Sequence, residues 1–149
     1  MSLVPIFLLL VILMIGSVQG YVSYDYKWRG NRKYYISREH ESFNLAKMNG
    51  RCKQLGGYLV QIDSREEHEL VQHITNYVNG RGPFFTGITD EESEGRFYSY
   101  NDKRAAKYLD WRYFQPDNWW NEDCVAMGYH GLNDLKCGNS GRYVCEVPV

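Results

Sequence analysis

The chain has 149 residues with 17 basic and 18 acidic side chains, a net charge of −1. That balance gives no electrostatic pull toward nucleic acid or an anionic membrane. Nothing repeats and no Pro-, Ser- or Gly-rich linker divides the chain, so residues 21–149 read as one domain of ordinary size.

Leu3 to Ile15 is an almost unbroken apolar run, followed by Gly16-Ser17-Val18-Gln19-Gly20. A run of about thirteen residues falls short of the roughly twenty that a membrane helix needs. Small residues at Val18 and Gly20 suit a cleavage site, so residues 1–20 are read as a secretory signal peptide. No Lys or Arg precedes the run, which leaves an uncleaved anchor as the alternative. Secretion predicts an oxidising environment, where the four cysteines form two disulfides. Spacing alone leaves all three pairings open.

Lys33-Tyr34-Tyr35-Ile36 has the aromatic and β-branched composition of a strand. Leu45, Met48, Cys52 and Leu55 recur at intervals of three and four before Gly56-Gly57, predicting an amphipathic helix over residues 42–55 with Cys52 on its buried face. Tyr58 to Ile62 reads as a strand. Ser64 and Glu67 then form a capping box for a second helix, whose inward face is Leu70, Ile74, Tyr77 and Val78. His68 and His73 lie five residues apart, which does not align two imidazoles on one helical face, so both are assigned to solvated helix surface.

Beyond Asn79-Gly80-Arg81-Gly82-Pro83 the helical period ends. Residues 84–88, 97–100, 124–127 and 142–146 are strand candidates, and residues 101–122 show no period, as expected of a long functional loop. Two helices followed by several strands argue an α+β fold.

The densest chemistry lies in Gln115-Pro116-Asp117-Asn118-Trp119-Trp120-Asn121-Glu122-Asp123-Cys124 and in Asn133-Asp134-Leu135-Lys136-Cys137. Gln115, Asp117, Glu122, Asn133 and Asp134 gather side-chain oxygens at a density that suits a hard cation. Calcium takes six to eight oxygen ligands, whereas zinc wants Cys or His. Asp and Asn at such density also serve as turn formers, the simpler alternative. There is no His-Glu-x-x-His and no nucleophile elbow, so the pattern favours binding over catalysis.

In their order and spacing these landmarks resemble the C-type lectin-like domain along essentially the whole of residues 21–149. They are Cys52 before Leu55-Gly56-Gly57, Glu66-Glu67, Gly87-Ile88-Thr89-Asp90, Glu94-Gly95, Trp111, Gln115-Pro116-Asp117, Glu122-Asp123-Cys124, Asn133-Asp134, Cys137 and Val144-Cys145-Glu146. The resemblance implies two helices and two small antiparallel sheets with a long calcium-binding loop region, with Cys52 joined to Cys145 and Cys124 to Cys137. It implies a principal calcium held by Gln115, Asp117, Glu122, Asn133 and Asp134, beside a cis Pro116. A second calcium site is implied at Asp90, Glu94, Asn118, Glu122 and Asp123, with Asn118 standing where a carboxylate is more usual.

Gln-Pro-Asp is similar to the family's galactose-type triplet, and Trp119 stands where galactose-binding relatives carry a stacking ring. The segment between Asp117 and Glu122 is shorter than in many such relatives and has no glycine. Phe85 and Leu132 replace tryptophans. The reading is therefore a secreted, extracellular, calcium-dependent lectin for galactose or N-acetylgalactosamine glycans, with homo-oligomers as a route to avidity and no nucleic-acid or membrane partner. A protein- or mineral-binding module with purely structural calcium is the alternative.

Overall fold

The computed structural model describes residues 15–26, 31–78, 81–118 and 121–148. Ten strands and two helices are described: β1 (Ile15–Val18), β2 (Tyr21–Tyr26), β3 (Arg32–Ser37), β4 (Glu41–Ser42), α1 (Leu45–Gln54), β5 (Tyr58–Leu59), α2 (Arg65–Tyr77), β6 (Phe84–Thr89), β7 (Tyr98–Ser99), β8 (Cys124–Gly128), β9 (Gly131–Leu135) and β10 (Ser140–Pro148).

The strands follow the order β1-β2-β3-β10-β6-β8-β9. Two antiparallel groups meet at β10, whose start pairs in parallel with β6 through Arg142 opposite Phe84 and Tyr143 opposite Phe85. Further along, β10 pairs antiparallel with β3 and β5. One strand thus belongs to both sheets, which fixes them relative to each other.

Strand alternation explains how the core divides. On β8 and β10, Val125, Met127 and Val144 pack with Val71 and Ile74 of α2, while Cys124, Ala126, Tyr143 and Cys145 pack with Leu45, Met48 and Cys52 of α1. Each helix covers one face. The disulfide Cys52–Cys145 ties α1 to β10, and Cys124–Cys137 spans the β8–β9 hairpin. Both pairings are those implied by the family resemblance. Phe85 stacks on Phe43 with ring centroids 4.1 Å apart, and Leu132 is fully buried, so both positions keep their packing role without tryptophan.

Both helices open on a side-chain cap, but α1 begins at Leu45 and not at the expected residue 42, because Glu41–Ser42 pair with β10 as β4. Asn44 caps α1 by accepting from the Lys47 N–H at 2.9 Å, and Ser64 caps α2 by accepting from the Glu67 N–H at 3.1 Å. At Gly57 a Cβ would stand 2.0 Å from the Glu146 carbonyl oxygen, so only glycine lets the chain leave α1 beside β10.

Of the expected inward face of α2, Ile74 and Val78 are buried and Leu70 packs against the core, but Tyr77 does not and polar residues join the face. Its buried residues are Glu67, His68, Val71, Ile74 and Thr75, and Tyr77 is 72% exposed. His68 is only 2% exposed, 5.8 Å from the Tyr108 ring, and burial lowers its pKa so that the imidazole stays neutral at pH 7. His73 is exposed, as expected. The true stripe runs partly through polar residues, which hid that part of it.

Residues 1–14 of the expected leader lie outside the described residues. Residues 15–18 form β1, paired with β2 from Ile15 opposite Tyr24 to Val18 opposite Tyr21. Cleavage after Gly20 would remove β1 and leave Tyr21, which opens β2, as the new terminus. Among the described residues no helix is long and apolar enough to cross a membrane.

A charged network ties four segments together under the β3–β10 pair. The carboxylate of Glu146, fully buried, accepts from the Gln61 N–H and from Arg32, both at 2.8 Å. Arg32 also reaches Glu67 at 2.9 Å, and Glu67 accepts from the Tyr34 hydroxyl at 2.8 Å and the Asp63 N–H at 2.9 Å. Two carboxylates share one guanidinium. Burial, reinforced by the charge of Glu67, pushes the Glu146 carboxyl up to about 8 against the pull of Gln61 and Arg32.

A carboxyl whose folded pKa lies above its unfolded value near 4.5 binds a proton that the unfolded chain releases. Stability therefore falls as pH rises through that window. In chelator, denaturant titrations of the native chain at pH 5 and pH 8 should show a loss on the order of 2 to 4 kcal/mol larger than in Glu146→Gln, which keeps an acceptor for Gln61 but cannot ionise. Equal losses in the two proteins would refute the assignment.

Candidate functional site

The site is built where the long loop meets the β8–β9 hairpin. The loop is first anchored at Trp111, which bridges Leu132 in parallel. The Arg112 N–H donates to the Leu132 carbonyl at 2.8 Å, and the Leu132 N–H donates to the Asp110 carbonyl at 3.0 Å. A turn closed by the Gln115 N–H on the Arg112 carbonyl follows at 3.0 Å, then the Gln115–Pro116 peptide, which is cis as the resemblance implied.

Asp134 then captures the chain. Its carboxylate accepts from the Asp117 N–H at 3.1 Å and from the Asn118 N–H at 2.7 Å. Asn118 and Asn121 have φ of 48° and 58°, left-handed conformations that asparagine tolerates better than most residues. These bends bring Glu122 back beside Asp117. The result is a trio: Asp117, Glu122 and Asp134 each offer a carboxylate oxygen within 4.8 Å of the others.

Gln115 Nε2 faces Asp117 Oδ2 at 3.4 Å, so the two polar ends of the triplet point toward each other. Asn133 precedes Asp134 on β9. Its cross-strand partner is Ala126, and its half-buried side chain lines a hollow with Gly82, Pro83 and Met127. Trp119, the expected stacking ring, and Trp120 lie outside the described residues.

A second trio lies at the end of β6, where Asp90, Glu94 and Asp123 likewise each offer a carboxylate oxygen within 4.8 Å of the others. Asp90 is buried and folds the following turn about itself: its Oδ2 accepts from the Gly95 N–H at 2.9 Å, and its carbonyl accepts from the Ser93 N–H at 3.2 Å. Thr89 donates its hydroxyl to the Asp123 carbonyl, and the Asp90 N–H donates to the same oxygen at 3.3 Å. The sequence reading assigned Thr89 no role. A hydroxyl at the last strand position before an acidic turn was the available signal.

The electrostatics of both trios are those of crowded like charge. Burial and the Asp90 charge raise the Asp123 carboxyl above its usual range, and Glu94 shifts the same way. Burial raises Asp134 while the N–H groups of Asn118 and Asp117 pull it back. Buried polar atoms are normally paired. Among the described residues six buried side-chain atoms lack a partner, and four of them are oxygens of expected ligands: Gln115 Oε1, Asn118 Oδ1, Asp90 Oδ1 and Asp123 Oδ1. Clustered carboxylates flanked by orphaned oxygens form a donor set that fits a hard divalent cation and does not suit zinc.

With this geometry in view, the relatives are informative. The Lectin C-type domain profile matches residues 41–147, and the chain belongs to that family of binding proteins, whose domains usually bind calcium. A perlucin-like protein of Mytilus galloprovincialis is 29% identical over an alignment of 152 residues, covering 97% of this chain and 96% of its own. The alpha-N-acetylgalactosamine-specific lectin of Patiria pectinifera is 35% identical over 98 residues, 61% of this chain and 58% of that one. The carbohydrate-recognition domain of the mouse scavenger receptor C-type lectin superposes with a TM-score of 0.71 at 30% identity, covering 83% of this chain and 93% of that one.

Asp134 should be the pin of the loop. Asp134→Ala removes both acceptors of the Asp117 and Asn118 amides, so exchange of these two protons in chelator should accelerate about tenfold or more, the equivalent of one to two hydrogen bonds. Unchanged protection would show that something else holds the loop.

Proposed function

We propose that this chain is a secreted, calcium-dependent lectin for glycans ending in galactose or N-acetylgalactosamine. The observation that carries the reading is the convergence of Asp117, Glu122 and Asp134 beside the unpartnered Gln115 oxygen. Asn133, the neighbouring position on β9, completes the proposed principal set. Asp90, Glu94, Asn118, Glu122 and Asp123 form the proposed second set, whose part is to hold the loop. The leader-like residues 1–20 and the two disulfides support export.

Bound in the principal set, calcium supplies coordination positions that two neighbouring hydroxyls of a pyranose can take in place of water. The chain's own groups choose which hydroxyls. Each hydroxyl must donate one hydrogen bond and accept another. Carboxylates of Asp117 and Glu122 can only accept, and the carboxamide nitrogens of Gln115 and Asn133 can only donate. Amide first and acid third in the triplet therefore present a donor and acceptor order that suits one diol geometry, and the reverse order suits another. Trp119 is the proposed ring against the apolar face of the sugar, a contact on the order of 1 kcal/mol.

One diol and one ring give weak binding, about −4 kcal/mol or a millimolar Kd. Several copies binding a branched or clustered glycan together would raise that by orders of magnitude. The alpha-N-acetylgalactosamine specificity in the name of the Patiria pectinifera lectin supports the sugar class.

Two experiments test the reading. A glycan array probed in calcium should light galactose- and N-acetylgalactosamine-terminated structures and go dark in chelator. Calcium binding with a blank array would instead assign the chain to protein or mineral binding. Replacing Gln115 with Glu and Asp117 with Asn together should turn the ranking toward mannose by at least tenfold in relative affinity, about 1.4 kcal/mol. A ranking that does not move would overturn the donor and acceptor argument.

A further inference from the structure

Immediately before Gln115 stand two of the most exposed large side chains of the described residues. Tyr113 is 82% exposed and Phe114 86%. Their rings meet edge to face, 4.6 Å between centroids and 85° between planes. They are the two central residues of the turn closed by Gln115 on Arg112, and Phe114 has φ of +63°.

That conformation is the one turns reserve for Gly or Asn, and a bulky L residue there is an outlier. Folding therefore gives no reason for Phe114: burial does not hold it, and the backbone would be easier with glycine. Strained positions of this kind gather at binding sites, and here the strain aims an aromatic side chain into solvent beside a candidate ligand. The edge-to-face contact braces each ring against the other. An exposed aromatic pair that is rigid loses little entropy on binding.

Resting on the glycan-binding reading above, we propose that Tyr113 and Phe114 form a second sugar contact, which takes the residue linked to the terminal one held at Gln115. Consecutive Cα atoms are about 3.8 Å apart, so the pair begins within one pyranose width of the Gln115 backbone. A second ring extending from the first passes over this turn. Its C–H face packs on an aromatic ring by burying apolar surface, and its hydroxyls stay in water. The site then reads two linked residues, with the triplet choosing the terminal sugar and the aromatic pair favouring extended glycans over free monosaccharide.

A lipid surface is the competing occupant for exposed aromatics. Two rings on a turn that opens with Arg112 and closes with a carboxamide, in a chain of net charge −1, offer no basic cluster to draw anionic lipid. The sugar reading uses the adjacency to Gln115, and the lipid reading does not.

The test compares methyl β-galactoside with lactose and galactosyl-α1,3-galactose, titrated in calcium into the native chain, Phe114→Gly and Tyr113→Ala. The native protein should bind at least one disaccharide about three- to tenfold more tightly than methyl β-galactoside, the range of an aromatic ring contact. Both variants should lose that preference to within twofold while methyl β-galactoside affinity stays unchanged, and Phe114→Gly should melt no lower than the native protein. Should Phe114→Gly misfold, Tyr113→Ala decides alone.

Equal affinity for mono- and disaccharides in the native protein, a preference that survives both substitutions, or a parallel loss of methyl β-galactoside binding would each overturn the second contact and leave the primary site standing. No binding in calcium of any of the three sugars or of methyl N-acetyl-β-galactosaminide would remove the lectin reading and this inference with it. Calcium-dependent adsorption to phosphatidylcholine–phosphatidylserine vesicles that Phe114→Gly abolishes would reassign the pair to lipid.

Discussion

The structure depends on one carboxylate used twice. Asp134 holds the Asp117 and Asn118 amides with its side chain and also stands among the acidic groups of the principal cluster. Those two uses pull in opposite directions electrostatically. Backbone N–H donors favour the ionised form, while burial and the Asp117 charge oppose it. A divalent cation would resolve the conflict, because it removes the repulsion and leaves the loop hydrogen bonds in place. Loop geometry and metal affinity are then two readouts of one arrangement.

The rest of the fold serves that position. Asp134 sits on β9, opposite Val125 of β8. The Cys124–Cys137 disulfide closes the hairpin, restricting a loop of the unfolded chain by about 3 kcal/mol in the chain-entropy account. β8 pairs with β6, which delivers Asp90 at its end, and β6 pairs with β10, which carries the buried Glu146 network. Of the two trios only Asp134 lies on a strand; Asp90 directly follows β6, Asp123 directly precedes β8, and Glu94, Asp117 and Glu122 sit on the connecting loops. Four oxygens of the two candidate sets, on Gln115, Asn118, Asp90 and Asp123, lack a partner, whereas the buried carboxylates of Glu67 and Glu146 are paired.

Much of this was legible in the residues, and the misses share a cause. Apolar periodicity located α1 with Cys52 inward, because its buried face is aliphatic. On α2 it found Leu70, Ile74 and Val78 but wrongly added Tyr77 and missed Glu67, His68 and Thr75, which occupy buried positions and look solvated. Polar burial leaves no periodic trace. The same blindness hid the Arg32–Glu67–Glu146 network, which joins residues over a hundred positions apart, and the role of Thr89. Pairing of the cysteines and the cis Pro116 came from family likeness, not from spacing. At the site, residue types alone suggested a hard cation, and the division into two sets came from family likeness; the fold adds that Glu122 groups with Asp117 and Asp134, while its neighbour Asp123 groups with Asp90 and Glu94.

The most direct test is a crystal structure grown with calcium and methyl β-galactoside, with anomalous data to identify the metal. The account predicts an ion bound by Gln115, Asp117, Glu122, Asn133 and Asp134, with two adjacent hydroxyls of the sugar completing its shell. An ion-free principal site, or one whose remaining positions are filled by the protein's own atoms, would contradict it.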